Sequence, residues 1–267
     1  IKKFDFIPAR EAKKGDFLAI PIPLDSKVEN LTSVDYSVVR TKPTPLTVHK
    51  EINEFTFKSD LLRLLGYYLA ERTIFWRRKK NIKICPCGVG FCFNINEKEY
   101  INDVVQIIST NFDLNPKVKT NFSPNSAVVT VYNKNLAEFM KYLCGFFQDK
   151  KRLSHELLNL EPSLQKEILK GFFRGDGNFR DEYGETTYRG VTTSYDLANQ
   201  LFWLLIRNRI KSSFIEQRIK DRKISYVLKI ANAVGIKRLG DELIKVTDRK
   251  QNVRFKELKD YFLVPIR

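Results

Sequence analysis

Two short stretches break the ordinary alternation of hydrophobic and polar positions in this chain. Residues 64–72 read LLGYYLAER and residues 169–177 read LKGFFRGDG. Each is an apolar run with Gly in third place (Gly66, Gly171) and a small residue four positions on (Ala70, Gly175). An acid follows at once, Glu71 in one and Asp176 in the other. Residues four apart share a helix face, so the spacing predicts two helices that can approach backbone to backbone.

The pattern around each stretch is the same. In the first half, Ser59 or Asp60 opens the helix that carries the motif. A basic cluster follows (Arg77, Arg78, Lys79, Lys80), then a strand pattern over Asn81–Asn94. Ile101, Val104, Val105 and Ile108 fall at helical spacing, behind a predicted cap of Asn96 and Glu99. Lys117–Phe122 and Ala127–Tyr132 alternate as strands, and Asn135 opens a further helix. In the second half, Pro162-Ser163 starts the motif helix and residues 183–193 read as strands. Ser194 caps a helix over Tyr195–Ile210, Phe214–Lys220 and Ser225–Ile230 follow as strands, and a last helix runs from about Ala231 to Leu243. An internal duplication with a period near 105 residues, the separation of Glu71 and Asp176, accounts for this.

The expected fold class is therefore α+β. Two pseudo-symmetric αββαββα halves, each a curved antiparallel sheet with helices on one face, are joined through the two motif helices. The divisions expected are an N-terminal flank and linker over 1–55, halves over 56–160 and 161–250, and a C-terminal flank over 251–267. Residues 25–55, with Pro43 and Pro45, read as loop-rich linker.

Charge narrows the choice of partner. The net charge is +16 and the pI about 9.6, spread along the whole chain, which points to a polyanion. Alternate strand positions carry the cations Lys117, Lys119, Arg218 and Lys220, with Arg222 and Lys223 in the turn after them. The cluster Arg77–Lys80 with Lys83, and Arg180, Arg189 and Lys229, complete the candidate binding face. A small sheet fits the DNA major groove, where base identity is legible. No apolar run reaches membrane-spanning length and no targeting signal is seen, so an intracellular place, cytoplasm or nucleoid, is expected. Cys85, Cys87, Cys92 and Cys144 lack zinc spacing and read as buried free thiols. His49 and His155 form no metal or triad pattern.

The acids carry the chemistry. Two neighbouring carboxylates repel, and one holds its proton unless a cation lies between them. Oxygen-only donors suit Mg²⁺, which also takes phosphate oxygens, the arrangement of metal-assisted phosphodiester hydrolysis. A single copy would read as a packing glycine beside a solvated acid. Two copies in a basic chain favour the metal.

Both stretches resemble the LAGLIDADG motif, and the chain resembles a monomeric, two-motif homing endonuclease of the intein-associated type. The resemblance implies that the motif helices form the interface between the halves. It also implies that Glu71 and Asp176 bind the Mg²⁺ or Mn²⁺ ions used to cut both strands across the minor groove. In the block before the second motif, Lys151 matches the family's lysine near the metals, with Lys150 as neighbour and Ser154 where Pro is usual. Lys250 is the corresponding candidate in the second half. The partner implied is double-stranded DNA with a long asymmetric target site. The first motif departs from the family at Arg72, where Gly is usual, which points to impaired cleavage. The alternatives are a cleavage-deficient sequence-specific DNA-binding protein and an RNA maturase. Residues 5–24 and 261–267 resemble the splicing-domain strands that flank such an endonuclease, without the splicing residues themselves.

Overall fold

The computed structural model describes residues 7–23, 31–39, 51–70, 72–79, 82–120, 125–182, 185–246 and 255–266. The chain enters through β1 (Phe17–Pro21), then β2 (Ser33–Asp35), the single turn α1 (Tyr36–Val39) and β3 (Glu54–Thr56). β2 and β3 pair antiparallel through Val34 and Phe55. Val34, Val39, Ile52 and Phe55 are buried in the main core. The described parts of 25–55 are thus packed structure and not linker. Their apolar residues are too sparse for a periodicity and are held by contacts distant in sequence.

The first half contains α2 (Ser59–Ala70), β4 (Arg72–Lys79), β5 (Ile82–Asn94), α3 (Lys98–Phe112), β6 (Lys117–Lys119), β7 (Ser126–Val131) and α4 (Lys134–Cys144). The short helix α5 (His155–Leu158) leads to the second half. That half contains α6 (Pro162–Asp176), β8 (Gly177–Glu182), β9 (Glu185–Thr192), α7 (Tyr195–Arg207), β10 (Ser213–Gln217), β11 (Ser225–Ile230) and α8 (Ala233–Leu239). The two four-stranded sheets have orders β4-β5-β7-β6 and β8-β9-β11-β10. Element for element this is one topology used twice, as the repeat predicts.

α2 is buried along nearly its whole length, and so is the C-terminal part of α6. Pro162 stands at the start of α6, where its missing N–H costs nothing. One continuous core runs through both halves, from Val34 to Leu239. Its large fully buried side chains include Tyr67 and Tyr68 of α2 and Phe172 and Phe173 of α6. Each buried tyrosine finds an acceptor: Tyr67 Oη donates to Asp103 Oδ2 at 3.0 Å and Tyr68 Oη to the Gly145 carbonyl at 3.2 Å.

Several boundaries differ from the sequence reading. β4 and β8 begin immediately after the motif acids, at Arg72 and Gly177, ahead of the strands expected from residues 81 and 183. Their polar, strongly charged sequences hide the strand period. The N-cap of α3 is Glu97, without a side-chain capping bond, and not Asn96. α4 is capped by Asn133, whose side chain accepts from Leu136 N at 3.0 Å, two residues before the expected Asn135. Ser194 caps α7 as expected. α8 ends at Leu239 because Gly240 adopts φ +68°, which stops the helix short of Leu243.

The flanks meet. β1 pairs antiparallel with β13 (Tyr261–Pro265), in register from Phe17↔Pro265 to Pro21↔Tyr261, and β12 (Lys256–Glu257) adds a third strand. This sheet sits on α7 through a small second core of Ile22, Ile206 and Phe262. Among the described residues no helix is long and apolar enough to cross a membrane. Cys144 is buried, while Cys87 and Cys92 are half-buried, so burial holds fully for only one of these three thiols.

Candidate active site and nucleic-acid interface

The site is built on the contact between α2 and α6. A Cβ on Gly66 would stand 2.3 Å from the Ile168 carbonyl oxygen, and one on Gly171 would stand 2.1 Å from that of Arg63. The neighbours are rigid helix backbone, so nothing larger than hydrogen fits at either position. This close approach carries the C-terminal ends of both helices to one place.

Two described groups of the expected constellation meet there. Asp176 is the last residue of α6. Burial pushes its carboxyl up to about 6, with the nearby Lys151 charge pulling the other way. Lys151 is only 6% exposed, although it lies in the loop between α4 and α5. Its Nζ donates to the carbonyls of Leu69 and, at 3.0 Å, Ala70, the last described residues of α2. A cation on the final carbonyls of a helix is favoured by the helix dipole. The loop itself is tied down at both sides. Ser194 Oγ donates to the Lys151 carbonyl at 2.6 Å, and Arg152 N and Ser154 N return to Cys144 and Leu143 at 3.2 and 2.8 Å. Lys151 therefore links the tip of the first motif helix to the acid of the second.

Glu71 and Lys250 lie outside the described residues, as do Lys80 and His49. Lys150, the neighbour of Lys151, is exposed and 5.8 Å from the Phe147 ring. Among the described residues no cluster of three or more His, Cys, Asp and Glu could hold a metal ion. Of the donors expected for a divalent cation, the described chain contributes one half-buried carboxylate, Asp176. A hard cation fits it, since bound charge would offset the burial that disfavours ionisation.

The residue after each acid differs in kind. Gly177 has φ −94°, an extended conformation open to any residue. Its need for glycine is close approach: a Cβ there would stand 1.8 Å from the Phe173 carbonyl oxygen. Arg72 occupies the same place in the first half, and the ladders agree, with Arg72 opposite Phe91 and Gly177 opposite Gly190. The reason for a glycine at this point is therefore steric and not a positive φ.

A polar network that sequence reasoning missed lies beside the helix pair. Arg174, 2% exposed, donates to Asp241 Oδ1 at 2.8 Å, Glu242 Oε1 at 2.7 Å, Asp103 Oδ2 at 3.1 Å and Tyr67 Oη at 3.3 Å. Arg63 holds Asp103 with two bonds of 2.8 and 2.9 Å and reaches Glu167 at 2.9 Å. Burial opposes the charge of Arg174, and its bonds to Asp241 and Tyr67 more than restore it, so its pKa is raised. The network crosses the interface from Arg63 of α2 to Glu167 of α6, and from Arg174 of α6 to Tyr67 of α2 and Asp103 of α3. Its one signal in the sequence is a lone Arg inside an otherwise apolar helix run.

Strand register places the expected basic residues. In the second sheet Asn178, Arg189, Lys229 and Ser213 lie opposite one another across four strands and so share a face. Arg180 and Thr187 lie on the same face, next to that row. Arg180 and Arg189 are exposed and Lys229 is half-buried. In the first sheet Lys117 and Lys119, both exposed, share a face with Thr130, Val128, Gly90, Cys92 and Thr73. Arg218, Lys220, Arg222 and Lys223 are exposed on the connection from β10 to β11, with Arg218 Nε bonded to Glu216 at 2.6 Å. Arg77, Arg78 and Lys79 belong to β4 and Lys83 to β5; Lys83 lies opposite Arg78, while Arg77 and Lys79 lie opposite Cys85 and Ile82.

Comparison with known proteins agrees with this geometry. The profile of the LAGLIDADG-like domain matches residues 163–243, which is α6 to just past α8. An uncharacterized protein of Methanocaldococcus jannaschii is 28% identical over 284 residues, covering 99% of this chain and 33% of that protein. An iron–sulfur cluster assembly SufBD family protein of Mycobacterium tuberculosis is 29% identical over 202 residues, covering 76% of this chain and 20% of that protein. The chain thus spans a third or less of the length of these relatives. Among solved structures, the homing endonuclease I-DmoI in complex with DNA and Mn superposes with a TM-score of 0.52 at 15% identity, over 72% of this chain and all of that one. Full-length DUF199/WhiA from Thermatoga maritima superposes with a TM-score of 0.50 at 11% identity, over 72% of this chain and 57% of that one. The architecture resembles the two-half LAGLIDADG fold seen in I-DmoI.

Proposed function

We propose that this chain is a site-specific endonuclease acting on double-stranded DNA, with Mg²⁺ or Mn²⁺ held by Glu71 and Asp176. One observation carries the reading: a half-buried carboxylate, its pKa raised, and a buried lysine brought together at the tip of a glycine-packed helix pair. The metal, when bound, supplies positive charge against the scissile phosphate. Asp176 provides a fixed donor on the end of a rigid helix. Lys151, pinned by the carbonyls of Leu69 and Ala70, is a preorganised cation for the charge that develops on phosphate oxygens. Lys250 is the candidate for the equivalent role in the second half. The exposed cations of the two sheets and of the β10–β11 connection hold the duplex. Because the two halves differ in sequence, the target is asymmetric and one chain suffices.

The relatives support an inserted element of the intein-associated kind. A stretch like this chain occupies a fifth of an iron–sulfur cluster assembly protein and a third of an uncharacterized one. The paired flanks, β1 against β13, bring entry and exit side by side, as insertion into another protein requires.

The test is a plasmid library with randomised sites, incubated with protein and Mg²⁺. Sequence-specific cutting that Asp176→Asn abolishes, with binding retained, is the expected result; cutting that survives Asp176→Asn refutes the site. A second reading, DNA binding without cleavage, is favoured by Arg72 standing where Gly177 is sterically required in the other half. Binding without cutting in the wild type, and cutting restored by Arg72→Gly, would select it.

A further inference from the structure

We infer that the two halves of the bound duplex are read by opposite chemistry, guanine edges under the second sheet and thymine methyls under the first. This rests on the DNA-binding reading above. The shared topology lets the two sheets be superposed strand by strand. The row Ser213–Lys229–Arg189–Asn178 of the second sheet corresponds to Lys117–Thr130–Gly90–Thr73 of the first. Members of a row lie on one face, within reach of one base step or the next.

The chemistry along the two rows differs. Where the second sheet carries Arg189, exposed, the first carries Gly90. A Cβ on Gly90 would stand 3.1 Å from the Phe75 ring, so that ring covers the gap. Phe75 in turn stands where the second sheet carries Arg180, since Phe75 lies opposite Gly88 and Arg180 opposite Thr187. Two arginines on one face are thus replaced by a glycine and a phenylalanine on the other. Phe75 packs on Tyr132 with ring centroids 5.3 Å apart, and Tyr132 is 52% exposed. A Cβ on Gly88 would stand 2.6 Å from the Val131 carbonyl oxygen, so the floor beneath this aromatic pair is bare backbone. In the second sheet Arg180 Nε donates to Asn178 Oδ1 at 3.1 Å, which fixes the direction of its fork.

An arginine fork pairs with the O6 and N7 atoms of guanine, while an aromatic edge makes apolar contact with the thymine methyl. Lys117 and Lys119 remain on the first sheet, at its edge strand β6, where phosphate contact positions the duplex without reading sequence.

The experiment is selection of bound duplexes from a randomised library at fixed salt, using the full chain, Arg189→Ala and Phe75→Leu. The wild type is expected to enrich guanine at one or more positions of one half-site and thymine in the other. Arg189→Ala should lower the guanine preference roughly 5- to 100-fold and leave the other half unchanged. Deoxyuridine in place of the selected thymine should weaken wild-type binding about fourfold, the worth of one buried methyl, and leave Phe75→Leu indifferent. A guanine preference that survives Arg189→Ala, or a uracil substitution silent in the wild type, overturns the inference. Salt-dependent binding without base preference in either half overturns it too, while leaving DNA binding intact. Absence of binding to any duplex overturns both.

Discussion

Asp176→Asn is expected to stabilise the metal-free protein at neutral and alkaline pH and to do nothing for it in acid. The carboxyl has its ordinary value of 3.8 in the unfolded chain and about 6 in the native one, because burial disfavours the charged form. Between those values the native state binds more protons than the unfolded state, so stability falls as pH rises from 3.8 through 6 and levels off above. A shift of that size amounts to about 3 kcal/mol at most, and less to the extent that water reaches the carboxyl. The amide keeps the shape and removes the charge, so at pH 8 the variant recovers up to that amount. In a chain of this length, about 3 kcal/mol corresponds to roughly 5–10 °C in melting temperature. Thermal unfolding followed by circular dichroism, in chelator, at pH 8 and pH 4.5, measures it. Mg²⁺ should raise the melting temperature of the wild type at pH 8 and not that of the variant. A variant less stable than wild type at pH 8, or an equal difference at both pH values, would refute the account of Asp176 as an acid whose desolvation outweighs the Lys151 charge.

Gly66→Ala and Gly171→Ala place a methyl 2.3 and 2.1 Å from helix carbonyl oxygens; each should cost about 3 kcal/mol or more, since backbone cannot yield as a side chain does, and denaturant midpoints would show it. Arg174→Leu leaves the buried Asp241 without its cation, while Asp103 keeps Arg63, and should cost about 3–5 kcal/mol, with Asp241→Asn in the same chain returning part of the loss. Lys151→Met is expected to lower the cutting rate about 100-fold or more, with duplex affinity in a filter-binding assay nearly unchanged; a full-rate variant would make Lys151 a helix cap and nothing else.

What the residues alone determined is what depends on local spacing. The duplication, the two glycines of the helix contact and the motif acids all follow from short-range periodicity, and Gly66 packs against Gly171 for the steric reason the spacing implies. Lys151 was legible only through its resemblance to a known block, because nothing local marks a loop lysine as buried. The tertiary structure decided the rest. Strand register chose which basic residues share a face, and register depends on partners dozens of residues away. The partners of Arg174 come from α2, α3 and the segment after α8, which no window of sequence spans. β4 and β8 form from polar sequence because their neighbours β5 and β9 offer hydrogen-bonding edges. The flanks pair because folding of all that lies between them brings Phe17 opposite Pro265. Helical periodicity is written within a few residues, whereas strand pairing and buried ion networks are settled only when distant segments compete for the same partners.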